Sequence, residues 1–352
     1  MKNKIVLTVF FLSLFSQMFS GQEHKPTKEE IDFIWEFSFM LNKEVLKKPE
    51  CFFKEKPFVE EDIFIKTKNN LKTLEVATDS LEKNAKIQLK KDEKSSNIIL
   101  NSKFPSFYNE GKANENNIIK VDVYKSELRN SKGDSIALRG GGGISFGVST
   151  FYEYKNDKET NLEFSTLNRQ SQVKYQNKVI EPIKGNVKYL IKYVTAYDKI
   201  RLSKNDTGKK FTLNNKDYIL KYVFDNKVII EKEGISLDDE IDIINLSKNG
   251  LNKLVPLSTE EFSKENKKKR ESEISSLGTI KSTFTKESFD YFKNNPDITL
   301  DDFKKAFPVE KLLNEKKQNP EYLLIAISSP IDNDFILYMP IYGYKRIINV
   351  KM

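Results

Sequence analysis

The chain has 352 residues, 38% hydrophobic and 31% charged, a formal net charge of +8 at pH 7, one histidine and one cysteine. A single cysteine excludes an intrachain disulfide, and the shortage of histidine and cysteine excludes zincin motifs, histidine-ligated iron or copper, Cys-His proteases and cysteine zinc sites. Arginine occurs 6 times against 53 lysines, so the basic balance follows a lysine-rich composition, and a nucleic-acid partner, which favours guanidinium groups, is not expected.

The N-terminus reads as an export signal, expected to span residues 1–21. Met-Lys-Asn-Lys is a short positive region, and the run from Ile5 to Phe19 is apolar apart from Thr8, Ser13, Ser16 and Gln17. At roughly 15 residues that run falls short of the roughly 20 needed to span a bilayer, so cleavage near Gly21–Gln22 is expected rather than anchoring. The cut removes two lysines and no acid, which takes the formal charge from +8 to +6. Cys51 lies too far beyond it to serve as a lipidation site. Later apolar runs, Leu323–Ile327 and Phe335–Met339, have strand length, so no stable membrane insertion is expected after cleavage. The destination is periplasmic, outer-surface or secreted. With about 330 mature residues the core can hold the fold without covalent staples, in two or three domains.

Residues 22–117 are expected to be mainly helical. Thr27 and Glu30 form a capping-box pattern, and Ile31, Ile34, Phe37, Leu41 and Val45 recur at helical spacing until Pro49. Phe33, Trp35, Phe39 and Met40 make that helix apolar nearly all round, which predicts burial between other elements. Phe64, Leu71, Leu74, Thr78, Leu81 and Ala85 predict one long amphipathic helix over Glu60–Lys91. Ser95–Asn117 reads as a loop with a short strand at Ile98–Leu100.

Residues 118–257 change character and carry strand-like runs at Ile118–Tyr124, Ile144–Tyr154, Val187–Tyr197, Tyr218–Phe224 and Lys227–Glu231, among others, divided by Asn, Asp and Gly turns. Many short strands predict an antiparallel β-sandwich, with an immunoglobulin-like form as the leading guess, although no Cys-Trp-Cys pattern supports it. Residues 258–278 are expected to be a charged helix or linker, whose Lys-Lys-Lys-Arg run reads as a solvated face. Residues 279–352 predict a small α+β region: helices at Lys286–Asn294, Leu300–Phe307 and Val309–Lys316, with Thr299 as a cap, then strands at Tyr322–Ser328, Phe335–Met339 and near Arg346–Val350.

Four constellations carry chemistry that can be weighed. Gly143-Ile144-Ser145-Phe146-Gly147 fits the Gly-x-Ser-x-Gly nucleophile elbow, but that fold needs a histidine after the serine, and the only one, His24, precedes it beside the expected cleavage site. The run then alternates like a strand. Arg139, Ser149-Thr150 and Glu231-x-Glu233 occur in the order used by ADP-ribosyltransferase toxins, with an Arg-to-Ser gap too short for the usual cleft. Glu153 with Glu163, or Glu231 with Glu233, could act as paired carboxylates of a glycoside hydrolase. Asp238, Asp239, Glu240 and Asp242, or Asp332 and Asp334, offer hard oxygen ligands without EF-hand spacing, and solvated turns are the favoured explanation.

No catalytic residue is identified by these patterns, and no cofactor-binding or metal-binding residue is expected. The reading that survives is a non-enzymatic binding or cell-envelope interaction module with an unknown protein or envelope ligand. The alternatives are a secreted carboxylate-dependent hydrolase and an ADP-ribosyltransferase-type toxin. A cleft with convergent acids of displaced pKa would mark the hydrolase.

Overall fold

The computed structural model describes residues 28–47, 54–67, 69–92, 95–105, 118–138, 143–155, 158–173, 182–255, 279–308, 320–332 and 334–352. The expected export signal, His24, Cys51, Arg139 with the glycines through Gly142, the basic run of 258–278 and the expected helix Val309–Lys316 lie outside these residues. In chain order the elements are α1 (Lys28–Lys47), β1 (Lys54–Lys56), α2 (Glu60–Ile63), α3 (Leu71–Lys83), β2 (Lys86–Asp92), β3 (Ser95–Pro105), β4 (Ile119–Ser126), β5 (Leu128–Arg129), β6 (Ser135–Ile136), β7 (Ile144–Lys155), β8 (Lys158–Gln172) and β9 (Asn186–Leu202). Then follow β10 (Lys210–Leu213), β11 (Lys216–Phe224), β12 (Lys227–Glu231), β13 (Asp242–Asn245), β14 (Asn252–Val255), β15 (Thr279–Phe284), α4 (Lys286–Asn294), α5 (Leu300–Ala306), β16 (Tyr322–Ile327) and β17 (Phe335–Lys351). The described chain is a β-rich mixed fold of antiparallel sheets with few helices. None of those helices is long and apolar enough to cross a membrane.

Two compact units are present. Of the described residues, the first takes Glu60–Ala196 and Ile341–Met352, and the second takes those of Lys28–Val59 with Tyr197–Pro340.

In the first unit an antiparallel sheet runs β2-β3-β8-β7. Its inward residues, Ile98, Leu100 and Phe104 of β3 and Leu167 of β8, share a core with Val121 of β4 and Tyr189, Ile191 and Tyr193 of β9. Helix α3 adds Leu74 and Leu81 to it. The single helix expected over Glu60–Lys91 is instead broken into α2, α3 and β2. Asn70 caps α3 by accepting from the Thr73 amide at 3.0 Å, and Asn84 closes it. Beyond Asn84 the apolar period drops from that of a helix to two, with Ile87 and Leu89 packed on the core and alternating with polar residues. The region expected as a loop with a short strand holds β3, 11 residues long. Its inward Ser102, whose polarity disguises the strand, is satisfied by donating its hydroxyl to the Leu81 carbonyl of α3.

Polar contacts tie α3 into this unit. The Thr78 hydroxyl donates to the Leu74 carbonyl at 2.7 Å and lies 3.2 Å from the Tyr193 hydroxyl. Arg346 of β17 reaches both Asp79 and Glu82. The guanidinium pKa is raised, chiefly by the Asp79 hydrogen bond.

In the second unit the sheet order is β10-β11-β12-β16-β15, antiparallel throughout. One face packs Tyr218, Leu220, Val228, Ile230, Leu323 and Ile325 against Ile243 of β13 and Phe335 and Leu337 of β17. The other packs Ile229, Leu324 and Ala326 against Phe284, Phe289 of α4 and Val45 of α1. Burial on both faces explains why β12 and β16 read as unbroken apolar runs, since neither can afford an outward polar residue. The expected strands at Phe335–Met339 and Arg346–Val350 are one strand, β17, of 17 residues. Pro340 and Gly343 read as a break in the sequence because neither favours a strand interior.

The C-terminal helices begin where the capping chemistry puts them. Thr285 accepts from the Ser288 amide and Thr299 from the Asp302 amide, both at 3.2 Å. Helix α1 is less enclosed than its all-round apolarity predicts. Among its described side chains Val45 is buried and Met40 stands 40% exposed.

Two substitutions test this packing by urea denaturation. Ile325→Ala empties a fully buried position in a strand covered on both faces, and should cost about 2–5 kcal/mol. Gly343→Ala should cost about 1–3 kcal/mol through overpacking, because a Cβ there would meet the Thr195 side chain closer than van der Waals contact allows.

Candidate functional site

The antiparallel registers of the second unit place Lys210, Ile219, Glu231, Tyr322 and Phe284 in one row across all five strands. Directly opposite residues project from the same side of a sheet. On that side Tyr322 and Phe284 lie under α4, whereas Ile219 and Lys210 lie beyond the helix. The margin left there is a cleft of about 760 Å³ lined by both signs of charge, among them Lys210, Asp217, Glu231, Glu233, Lys286 and Glu321.

Glu231 is its electrostatic centre. The carboxylate is 16% exposed and takes Lys221 Nζ at 3.1 Å and Lys286 Nζ at 3.0 Å. Lys286 also lies 3.4 Å from Glu321, while its backbone amide donates to the other Glu321 oxygen at 3.0 Å. Glu321 therefore holds both the side chain and the first amide of α4. Burial pushes the Glu231 carboxyl up, but hydrogen bonds from Lys286 and Lys221 and their charges outweigh it, leaving the pKa below the ordinary carboxylate value. The same hydrogen bonds to Glu231 raise Lys286 and Lys221.

Such a carboxylate stays ionised and is a poor proton donor. Glycoside hydrolysis needs one carboxyl pushed upward to act as general acid. Every described carboxyl with a displaced pKa moves the other way: Glu127, Asp206, Glu231 and Asp302 are all lowered.

The structure brings Glu231 and Glu233 to one cleft. Glu153 and Glu163 are placed only as backbone positions on β7 and β8, opposite Thr160 and Thr150. Ser145 is an exposed residue inside β7, paired with Asn168, so the strand-to-helix turn of a nucleophile elbow is absent there. Of the toxin-like constellation, Arg139 lies outside the described residues, Ser149 and Thr150 are backbone positions on β7, and only Glu231 and Glu233 have described side chains. The acidic clusters serve as ion-pair partners: Asp239 takes Lys216, Asp242 takes Lys281 at 3.3 Å, Asp332 takes Lys253 at 2.6 Å and Asp334 takes Arg201 at 2.7 Å. Among the described residues no three His, Cys, Asp or Glu side chains group as metal ligands.

Sequence reasoning missed Lys221, Lys286 and Glu321. Lys221 reaches Glu231 across the β11–β12 hairpin, whereas only the β12–β16 pairing brings Lys286 and Glu321 to it, and the one local signal for those two is Thr285 as a helix cap just before Lys286.

The pH dependence of stability checks the Glu231 cluster. Its folded pKa lies below the unfolded value of about 4.3, so its contribution is present above that pH and is lost as pH falls through the folded value. Urea midpoints of the parent chain should fall between about pH 5 and pH 3, and Glu231→Gln should be less stable at pH 7 and lose part of that slope. The chain matches no family model, no curated protein and no solved structure.

Proposed function

We propose that the protein is an exported, non-enzymatic binding module whose charged cleft holds a polypeptide segment of an envelope partner carrying both signs of charge. The carrying observation is Glu231, kept ionised between Lys221 and Lys286 at the centre of an open cleft. A polypeptide offers what the lining complements: carboxylates for Lys210 and Lys232, ammonium groups for Glu233, and an apolar contact for Ile219. Export, inferred from residues 1–21, sets the envelope as the place of action.

The pairing of β8 with β3, β12 with β16 and β13 with β17 takes strands of residues 118–257 to partners outside that stretch. We infer that the cleft is built by this long-range pairing and does not require an immunoglobulin-like sandwich closed within 118–257.

A secreted carboxylate-dependent hydrolase is the second reading, favoured by the presence of Glu231 and Glu233 in one cleft. Calorimetric titration with mixed-charge and with neutral peptides of equal length separates the two. Binding should be confined to the charged peptides, weaken with salt, and drop about 2- to 5-fold in Lys210→Ala, the size expected for one partly exposed ion pair. Turnover of chromogenic glycosides that disappears in Glu233→Gln would replace the binding reading by the hydrolase.

A further inference from the structure

The second unit carries another concavity, distinct from the charged cleft in its chemistry. Leu46 of α1, Phe224 at the end of β11, Phe292 of α4 and Pro296 enclose about 170 Å³, and Lys43, Lys47 and Lys293 stand around it. The apolar side chains alone would make it a receptor for a small hydrocarbon group, since a dry cavity of about 150 Å³ admits benzene.

The three ammonium groups change that preference. Lys47 has a counter-charge in Asp297 at 3.6 Å, a carboxylate whose own side chain is 97% exposed. Lys43 and Lys293 pair with no carboxylate among the described residues. Lys43 donates to the Ile298 carbonyl at 2.8 Å and lies 5.1 Å from the Phe39 ring. Lys293 sits 4.2 Å from the Tyr222 ring and 5.9 Å from that of Phe289. These contacts hold the stems in place without neutralising them, because ring faces and carbonyls carry only partial charge. Three like charges around one small apolar opening repel one another, and an anion between them removes that repulsion while its body fills the pocket.

We propose that this pocket binds a small organic acid, a carboxylate on an apolar body of about the size of a phenyl ring, with the body on Phe292 and Phe224 and the carboxylate between Lys43 and Lys293. The site is independent of the peptide-binding reading of the charged cleft. It requires no ionic partner from the protein, which distinguishes it from Glu231, whose lysines are already engaged.

The test is an NMR titration of the full chain with phenylacetate and with phenethyl alcohol, its near-isosteric neutral counterpart. At low ionic strength the acid should bind at about millimolar affinity, as expected for a ligand of this few atoms, and about 5-fold more tightly than the alcohol. Lys293→Gln, on an exposed helix position, should reduce that preference to about 2-fold. Leu46→Trp, which fills the pocket, should abolish binding of both probes. Equal affinity for acid and alcohol, an acid preference unchanged in Lys293→Gln and Lys43→Gln, binding that survives Leu46→Trp, or no binding of phenylacetate would each overturn the proposal.

Discussion

The pairing of β12 with β16 is the interaction on which the second unit depends. It joins strands from distant parts of the chain in the register Lys227↔Ala326 to Glu231↔Tyr322. Because both strands are buried on two faces, one ladder supports two cores at once: the layer toward Phe335 and Leu337 and the layer toward α1 and α4. A slip of one residue would exchange every side chain between those layers and expel Glu231 from its place beside the start of α4. The apolar packing thus sets the register, and the register sets the geometry of the charges.

Much of the local structure is legible in the sequence, and the reasons are local. Thr299 and the run from Leu300 predict α5; Lys227–Glu231 is a strand between an Asp-Asn turn and a glycine; Tyr322–Ile327 is too short and too uniformly apolar for anything but a buried strand in this setting. Where the reading fails, two signals compete. Lysines scattered through Glu60–Lys91 fit either period, so the change at Asn84 from helix to strand is hidden. In β3 an inward serine interrupts the apolar alternation, and only the Leu81 carbonyl, supplied by another element, makes it acceptable. Strand pairing between distant segments leaves no local trace at all, and for that reason Glu231 could be nominated from sequence but Lys286 and Glu321 could not.

Polar groups in the interior show how tightly the cores are constrained. Lys253, with a side chain 3% exposed, is held by Asp332 and the Pro330 carbonyl. Asn245 donates to Ser329 and Pro330 from a fully buried position. Such contacts join loops to strands where apolar side chains could not serve, since an unmade hydrogen bond in the interior costs about 1–3 kcal/mol. Some buried polar atoms stay unpaired: the Ser171 and Tyr189 hydroxyls in the first unit and the Asn245 side-chain oxygen in the second lack a hydrogen-bond partner among the described residues, and burial raises the Tyr189 pKa.

Lysine, and not arginine, supplies the cations of both concavities in the second unit. An amine remains open to acylation, which erases its charge. Lys286 bridges Glu231 and Glu321, so modification of that single nitrogen would leave two carboxylates facing each other across the cleft. The balance of the mixed-charge surface would tip toward acidic in a single covalent event, with the backbone untouched and Lys221 still on Glu231.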